Sequence, residues 1–548
     1  MGQVNPGVSA SSGTDNQAVS LLAGEVIAQD DIVQIARSGR LYRAKPALGA
    51  LVNKVTVGLS SFVNKTIATS ASSWGGYDID FAQWGVTLGN GNFAVVEPIN
   101  ETLDLYVRVY DIYSNLLSSY PIGTTLNGAN KWLRVRIVDT NNFAVIFTTA
   151  YNTAPNLWTF NNGGARTGAA TLAKPTTAPD WYLLNGNISS DVLFTPDGYL
   201  VLAFCHTSNL LNIATYTAAG AAVGWSNTPF GYSAPRNVRI EKIPGQTKVW
   251  ISSYSSSPIY VMYQFNYATT GASAPVQMWT IGGYPNIKDT GNGYAMLANG
   301  SVAVVVYVSP DIMMYVINAS GVLVASYTLR LGLNAAQLGM VAGLYDGGAF
   351  AVYGSSSYGW STARLSADGL TLYQGEIFSS SSFLTGYSGS SYEAIGVRTT
   401  EDRIVVAAID FDGGSNYNIR TKDFDIGYPI YGLAGTTTIL IAADTNLKFV
   451  GAFLTSGSMV YISAFYGVSS SLTQYAKWLW SRSASLFGVA LTGGAKGALV
   501  SVATKGTFSN MPADQEFIGG INSDQRTALP PGPRMAWIGR AALLFGLG

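Results

Sequence analysis

Apolar residues along this chain gather in short runs of β-forming residues, each led by a turn-type dipeptide, and the runs return about every 50 residues. They begin with Asn92-Phe93-Ala94-Val95-Val96, Asn142-Phe143-Ala144-Val145-Ile146, Gly198-Tyr199-Leu200-Val201-Leu202 and Lys248-Val249-Trp250-Ile251. They continue with Gly300-Ser301-Val302-Ala303-Val304, Gly348-Ala349-Phe350-Ala351-Val352, Arg403-Ile404-Val405-Val406 and Ser458-Met459-Val460-Tyr461-Ile462. The reference positions 93, 143, 199, 248, 301, 349, 403 and 458 lie about 48 to 56 apart, the drift that surface loops of variable length produce. Each unit holds several strands. Around the first run, Trp84-Gly85-Val86-Thr87-Leu88 leads into the Asn90-Gly91 turn, and residues 103–109 and 116–122 follow as further strands. Four strands in about 50 residues make one propeller blade.

The pattern therefore predicts an all-β chain: a seven- or eight-bladed β-propeller over residues 54–470, inserted into a small terminal β-domain. The eighth unit belongs because Val450-Gly451-Ala452-Phe453-Leu454 and Ser456-Gly457 precede it as strand and turn precede the others. A ring must close to leave no exposed edge, and Lys54-Val55-Thr56-Val57-Gly58-Leu59 is expected to supply the closing strand. A β-helix would show a much shorter period and a pair of sandwiches no eight-fold recurrence. Helical stripes are scarce: residues 474–487 read as either a short helix or a strand, and 334–341 are ambiguous.

Outside the array, residues 1–14 read as a flexible arm. Residues 15–53 and 471–548 read as two halves of one β anchoring domain, because each holds strands without enough partners to bury a face.

Composition narrows the function classes. Of 548 residues only 11% are charged, and Lys+Arg and Asp+Glu balance at 31 each. No basic field exists to hold nucleic acid, and no polybasic stretch to hold an anionic membrane. No run approaches the ~18 apolar residues of a membrane span, and the first residues carry no secretory signal pattern. The single cysteine, Cys205, excludes an intrachain disulfide framework. With His206 the only histidine, zinc sites and histidine-based triads are set aside. No cofactor is expected.

The flanks carry a resemblance. The first half reads Ala23-Gly24-Glu25, Asp31-Ile32-Val33 and Gly39-Arg40-Leu41-Tyr42-Arg43-Ala44; the second reads Phe487-Gly488-Val489-Ala490, Gly497-Ala498-Leu499-Val500-Ser501-Val502 and Lys505-Gly506. Joined, they resemble a module of tailed-bacteriophage virion proteins, found among tail fibres and capsid-decoration proteins. In that module a hairpin ending G-[KR]-[LV]-Y-[KR]-A precedes a strand [IF]-G-V-A, a glycine turn and V-x-V-x-x-x-G. The inserted array is far larger than the loop such modules usually hold. The resemblance implies a virion structural protein, not an enzyme, that contacts other virion proteins as a homo-oligomer. Host-surface attachment as a tail fibre or receptor-binding component is the leading expectation. A capsid-decoration or head-fibre role is the alternative, followed by a polysaccharide-degrading propeller enzyme.

Candidate chemistry is sparse. Tyr and Trp faces stack on sugar rings, and the aromatics in loop-like contexts are Trp74, Tyr77, Tyr358, Trp360, Tyr387 and Tyr392; they are the candidate contacts to a host glycan or protein. Asp410, Asp412 and Asn416 have the alternating spacing of a calcium-binding turn, without the distal glutamate of an EF-hand. Asp78/Asp80 and Asp423/Asp425 would share a face if they lie on strands, as a glycosidase pair could. Ser366-Ala367-Asp368-Gly369-Leu370-Thr371 is one residue short of a sialidase Asp-box and does not recur.

Overall fold

The computed structural model describes the strands and tight turns between Gln17 and Lys505. Residues 1–16 and 506–548, the internal stretches 44–58, 69–83, 174–189, 283–293, 377–394 and 482–487, and several shorter connections lie outside the described residues; for 59–68 and 395–481 the backbone alone is described. Eight four-stranded antiparallel sheets follow one another along the chain, with a ninth, five-stranded sheet built from the two ends. The second strands of the eight blades are Phe93–Pro98, Asn142–Phe147, Tyr199–His206, Lys248–Ser255, Val302–Val308, Ala349–Ser355, Arg403–Phe411 and Met459–Ser469. These are the eight recurring runs of the sequence, so the all-β propeller is the observed fold, with eight blades.

The runs are continuously apolar because a blade packed between two others buries both of its faces. In blade 2, Phe143, Val145 and Phe147 pack against blade 1 residues such as Val107 and Val109. Ala144 and Ile146, on the opposite face of the same strand, pack against Leu200 and Leu202 of blade 3. Blade 5 repeats the division: Val302, Val304 and Val306 meet Trp250 and Met262 of blade 4, while Ala303 and Val305 meet Ala349 and Ala351 of blade 6. Each fully buried side chain of this size stabilises by about 1.5–3 kcal/mol. The cores between blades, not within them, hold the ring.

Tight turns finish each interface. The turn between the third and fourth strands ends in Gly164, Gly220, Gly321 and Gly369 in blades 2, 3, 5 and 6, and each glycine lies against the preceding blade. A β-carbon at Gly220 would sit 2.9 Å from that of Ala170 in blade 2, and its φ of +90° is the left-handed region besides.

The first strands of successive blades lie side by side around the ring, and that of blade 8, Asn446–Leu454, returns to Gly85–Thr87 of blade 1. Closure is completed from the other end of the chain. Leu59–Ala68 pairs antiparallel with Leu472–Ser481 as the fourth strand of blade 8, with Leu59 opposite Trp480. The closing strand therefore begins where the sequence placed its end, at Leu59; residues 54–58 lie outside the described residues. The ring also runs to Ser481, past the boundary at 470, because the stretch read as helix or strand is the third strand of blade 8. From Gln337 on, the ambiguous 334–341 stretch belongs to the first strand of blade 6, Gln337–Gly343; residues 334–336 lie outside the described residues.

The five-stranded sheet has the order Gln17–Leu22, Leu499–Lys505, Gly488–Ala490, Ile32–Ile35, Leu41–Arg43. The two strands from after the ring thus lie side by side between strands from before it, and the core of the sheet gathers Ala23, Ile27, Val33 and Leu41 with Ala490, Val500 and Val502.

Replacing Gly220 with Ala is expected to lower stability by more than the about 1–2 kcal/mol of left-handed strain alone, because the methyl also meets Ala170. Gly198→Ala, where φ is +85° but nothing lies within 4 Å of the added carbon, should cost only the strain. Thermal midpoints of the two variants compare them directly; equal losses would show that the turn does not dock.

Candidate functional site

The sequence candidates lie mostly outside the described residues. Trp74, Tyr77, Tyr358, Tyr387 and Tyr392 lie outside the described residues, as do Asp78, Asp80, Asp412 and Asn416. Trp360 stands in Gly359–Leu365, opposite Gly354, at the start of the third strand of blade 6. Asp410 lies opposite Asn418 near the end of its strand. Asp423 and Asp425 are two apart on Tyr417–Asp425 and so share a face of blade 7. Among the described residues, no three His, Cys, Asp or Glu side chains gather as a metal site requires. Asp368 is accounted for by its turn, where its carboxylate accepts from the Leu370 amide at 2.9 Å and from Ser366 Oγ at 2.5 Å.

What the structure does assemble is a ladder of charges on the first strands of blades 2 to 4. In Leu133–Ile137, Leu133 and Val135 turn toward the core with blade 1, which sends Arg134 and Arg136 toward blade 3. There Arg136 donates to the Val192 carbonyl at 2.8 Å and to Asp191 Oδ1 at 2.6 Å, and Arg134 donates to the Ser190 carbonyl at 3.2 Å. Arg134 Nε stands 3.6 Å from the same carboxylate oxygen. Asp191 in turn accepts from the Ile240 amide of blade 4 at 3.1 Å. Blade 4 then directs Arg239 and Glu241 away from Val238 and Ile240, which fill the core with blade 3.

The two carboxyl groups are driven apart. Burial opposes ionisation of Asp191, yet Arg136, Arg239, Arg134 and the Ile240 amide outweigh it and hold the group below the usual carboxylate range. Glu241 is driven the other way. Burial, with the charge of Asp191 added, pushes it up to about 8 against a hydrogen bond with the Met296 backbone. Glu241 still keeps some accessible surface. Burial also raises the hydroxyls of Tyr260 and Tyr294 nearby. Because Asp191 is saturated by cations and amides from three blades, the ladder ties blades together and is poorly suited to proton abstraction.

A second buried group lies on the face of blade 1 turned away from blade 2. Glu97, 1% exposed, accepts from Tyr110 Oη at 2.5 Å and Arg108 at 3.0 Å. None of these charges was singled out in the sequence. The usable signal is charge inside an apolar strand just ahead of a repeat, as in Leu133-Arg134-Val135-Arg136 and Val238-Arg239-Ile240-Glu241, in a chain with few charges to spare.

No family model matches the chain, and no curated protein matches it. Among solved structures, the WD40 domain of SCAP from fission yeast matches at 11% identity and TM-score 0.41, covering 76% of this chain and 98% of that one. The WD40 domain of Toxoplasma gondii coronin matches at 10% identity and TM-score 0.33, over 64% of this chain and 86% of that one. A prolyl endopeptidase structure matches at 10% identity and TM-score 0.41, over 72% of this chain and 56% of that one. Enzymes and non-enzymes both occur among such neighbours, and at these values the likeness carries no argument about activity.

Two substitutions separate the roles of the carboxyls. Asp191→Asn leaves three arginines around a neutral group and should cost about 3–5 kcal/mol. Glu241 holds a proton in the folded chain that the unfolded chain, with the ordinary value of 4.5, releases. Its contribution is complete below that value and is lost as the pH rises toward about 8, at no more than about 1.4 kcal/mol per pH unit. Glu241→Gln should flatten stability between these limits and raise it at neutral pH, as denaturation midpoints across that range would show. An unchanged pH profile would contradict the assignment.

Proposed function

We propose that this chain is a bacteriophage virion protein, held by its terminal sheet and presenting the propeller for contact with a host-surface glycan or protein, as a tail fibre or receptor-binding component. The observation that carries the reading is the way the ring is inserted. The chain enters at Leu59, leaves just after Trp480 directly opposite, and both flanks then share a single sheet. A large ring hung from one small sheet is suited to display, since the inserted body is attached through two adjacent strands. The flank motifs that resemble virion modules include strands of that sheet, Ile32–Ile35, Leu41–Arg43, Gly488–Ala490 and Leu499–Lys505.

The sheet also offers a surface for attachment. Leu22 and Leu499 are cross-strand partners, exposed to 45% and 66%, and Leu491, just after the strand Gly488–Ala490, is 41% exposed. Such a patch is suited to contact with other virion proteins or with further copies of the chain. Display in many copies would convert weak individual contacts into useful avidity.

Antibody labelling of purified particles in the electron microscope tests the reading. Label at the tail supports it, label over the shell supports the decoration role instead, and particles without label overturn both. The double variant Leu22→Ser, Leu499→Ser should leave the propeller folded while reducing self-association in light scattering and incorporation into particles by several-fold. Undiminished incorporation would remove the sheet from the attachment role.

A further inference from the structure

We propose that Arg166, held over Tyr120 and Trp158 in the outer seam between blades 1 and 2, is the anion-recognising centre of a site for acidic saccharides. Tyr120 belongs to the fourth strand of blade 1, Leu116–Thr125; Trp158 and Arg166 belong to the third and fourth strands of blade 2, Asn156–Asn161 and Arg166–Thr171. The guanidinium carbon lies 5.1 Å from the Tyr120 ring centre and 4.8 Å from that of Trp158. The rings meet edge to face at 5.8 Å. Beneath them the core is filled, Tyr120 by Phe160 at 5.6 Å and Trp158 by Phe147 at 5.0 Å. Both rings remain partly exposed and Arg166 is exposed.

Packing does not demand an arginine here. The register places Arg166 opposite Phe160, just after the bulge. The equivalent positions opposite Tyr110, Tyr216, Ile317 and Leu365 hold Leu116, Ala222, Leu323 and Leu372. The seam between blades 4 and 5 joins Trp279 to Tyr315 at 5.3 Å with no cation recorded over either ring. Blade 2 alone among these places a charge at this point.

The chemistry then selects a ligand. A guanidinium drawn to aromatic rings by its charge keeps N–H donors for a planar, two-oxygen acceptor. Among the described residues, ring contacts are the only side-chain interactions recorded for Arg166, whereas the other arginines of blade 2 are committed to carbonyls and Asp191. The cation is also held in place from below. Ser118 Oγ of blade 1 donates to the Gly164 carbonyl at 3.1 Å, fixing the turn from which Arg166 springs. One fixed cation beside two partly exposed aromatic rings matches a sugar ring bearing a single carboxylate or sulfate. An acidic peptide or polyphosphate would call for a cluster of cations.

The inference deepens the reading of the propeller as a contact head and rests on it, but its test is independent of particle location. Calorimetry and saturation-transfer NMR on the full chain would use tetragalacturonate, its neutral methyl ester, sialyllactose, a sulfated disaccharide and acetate. At least one acidic saccharide should bind with a Kd of about 10 mM or tighter, and the methyl ester, where galacturonate is the ligand, about tenfold more weakly. Arg166→Gln should weaken binding about tenfold or more; Arg166→Lys, which keeps the charge but loses the fork, should fall between. Both variants should keep the wild-type thermal midpoint, since the side chain is exposed. No binding by any acidic saccharide, equal binding by wild type and Arg166→Gln, or equally strong binding of acetate would each overturn the proposal. Failure here with label still found on particles would leave the display role standing without this site.

Discussion

The antiparallel pairing of Leu59–Ala68 with Leu472–Ser481 is the contact on which the rest of the molecule depends. It gives blade 8 its fourth strand and covers the edge that the third strand of that blade would otherwise expose. It also sets the geometry of the ends. Because Leu59 lies opposite Trp480, the two flanks leave the ring side by side and can interleave in one sheet. A ring closed wholly from one end of the chain would not bring Ile32–Ile35 to Gly488–Ala490 in this way.

Within the ring, cohesion is divided between two kinds of contact. Apolar cores between blades supply most of the stabilisation, since the second strands of blades 2 to 5 each contribute side chains to the cores with both neighbours. Shape is fixed by polar contacts at the inner and outer margins: the Arg136–Asp191 pair with its Ile240 amide on the first strands, and turns that dock on the preceding blade. A buried ion pair adds little net stability over an apolar one, but breaking it is costly. The ladder therefore specifies which blade meets which more than it strengthens the ring.

What the sequence made legible follows from the same physics. All eight second strands stood out because burial on two faces demands an unbroken apolar run after a turn. First strands were legible only in blades 1 and 8, through residues 84–88 and 450–454; Tyr294–Met296 of blade 5 is only three residues long, and those of blades 2 and 4 carry charges, so no comparable signal marked them. The closing strand, Leu-Ser-Ser-Phe-Val-Asn-Lys-Thr-Ile-Ala, is half polar, and the more regular alternation of residues 54–59 drew the assignment upstream. Site residues were harder still. Loop-like context along the chain selected aromatics one at a time, whereas the partly exposed pair Tyr120 and Trp158 comes together only when two blades meet. A pattern along one strand cannot report which residue faces it across a seam.

Cross-linking across the closing pair tests the central claim most directly. Asn64 lies opposite Ala476 and Lys65 opposite Tyr475, and in an antiparallel ladder one of two successive pairs is the closer, non-hydrogen-bonded type. Paired cysteines at each site, with Cys205 replaced by serine, should form a disulfide under mild oxidation in at least one of the two variants and raise resistance to thermal unfolding of the whole ring. If neither pair cross-links, and a chain lacking residues 59–68 melts as the full chain does, the ring is not closed by its two ends and the account fails.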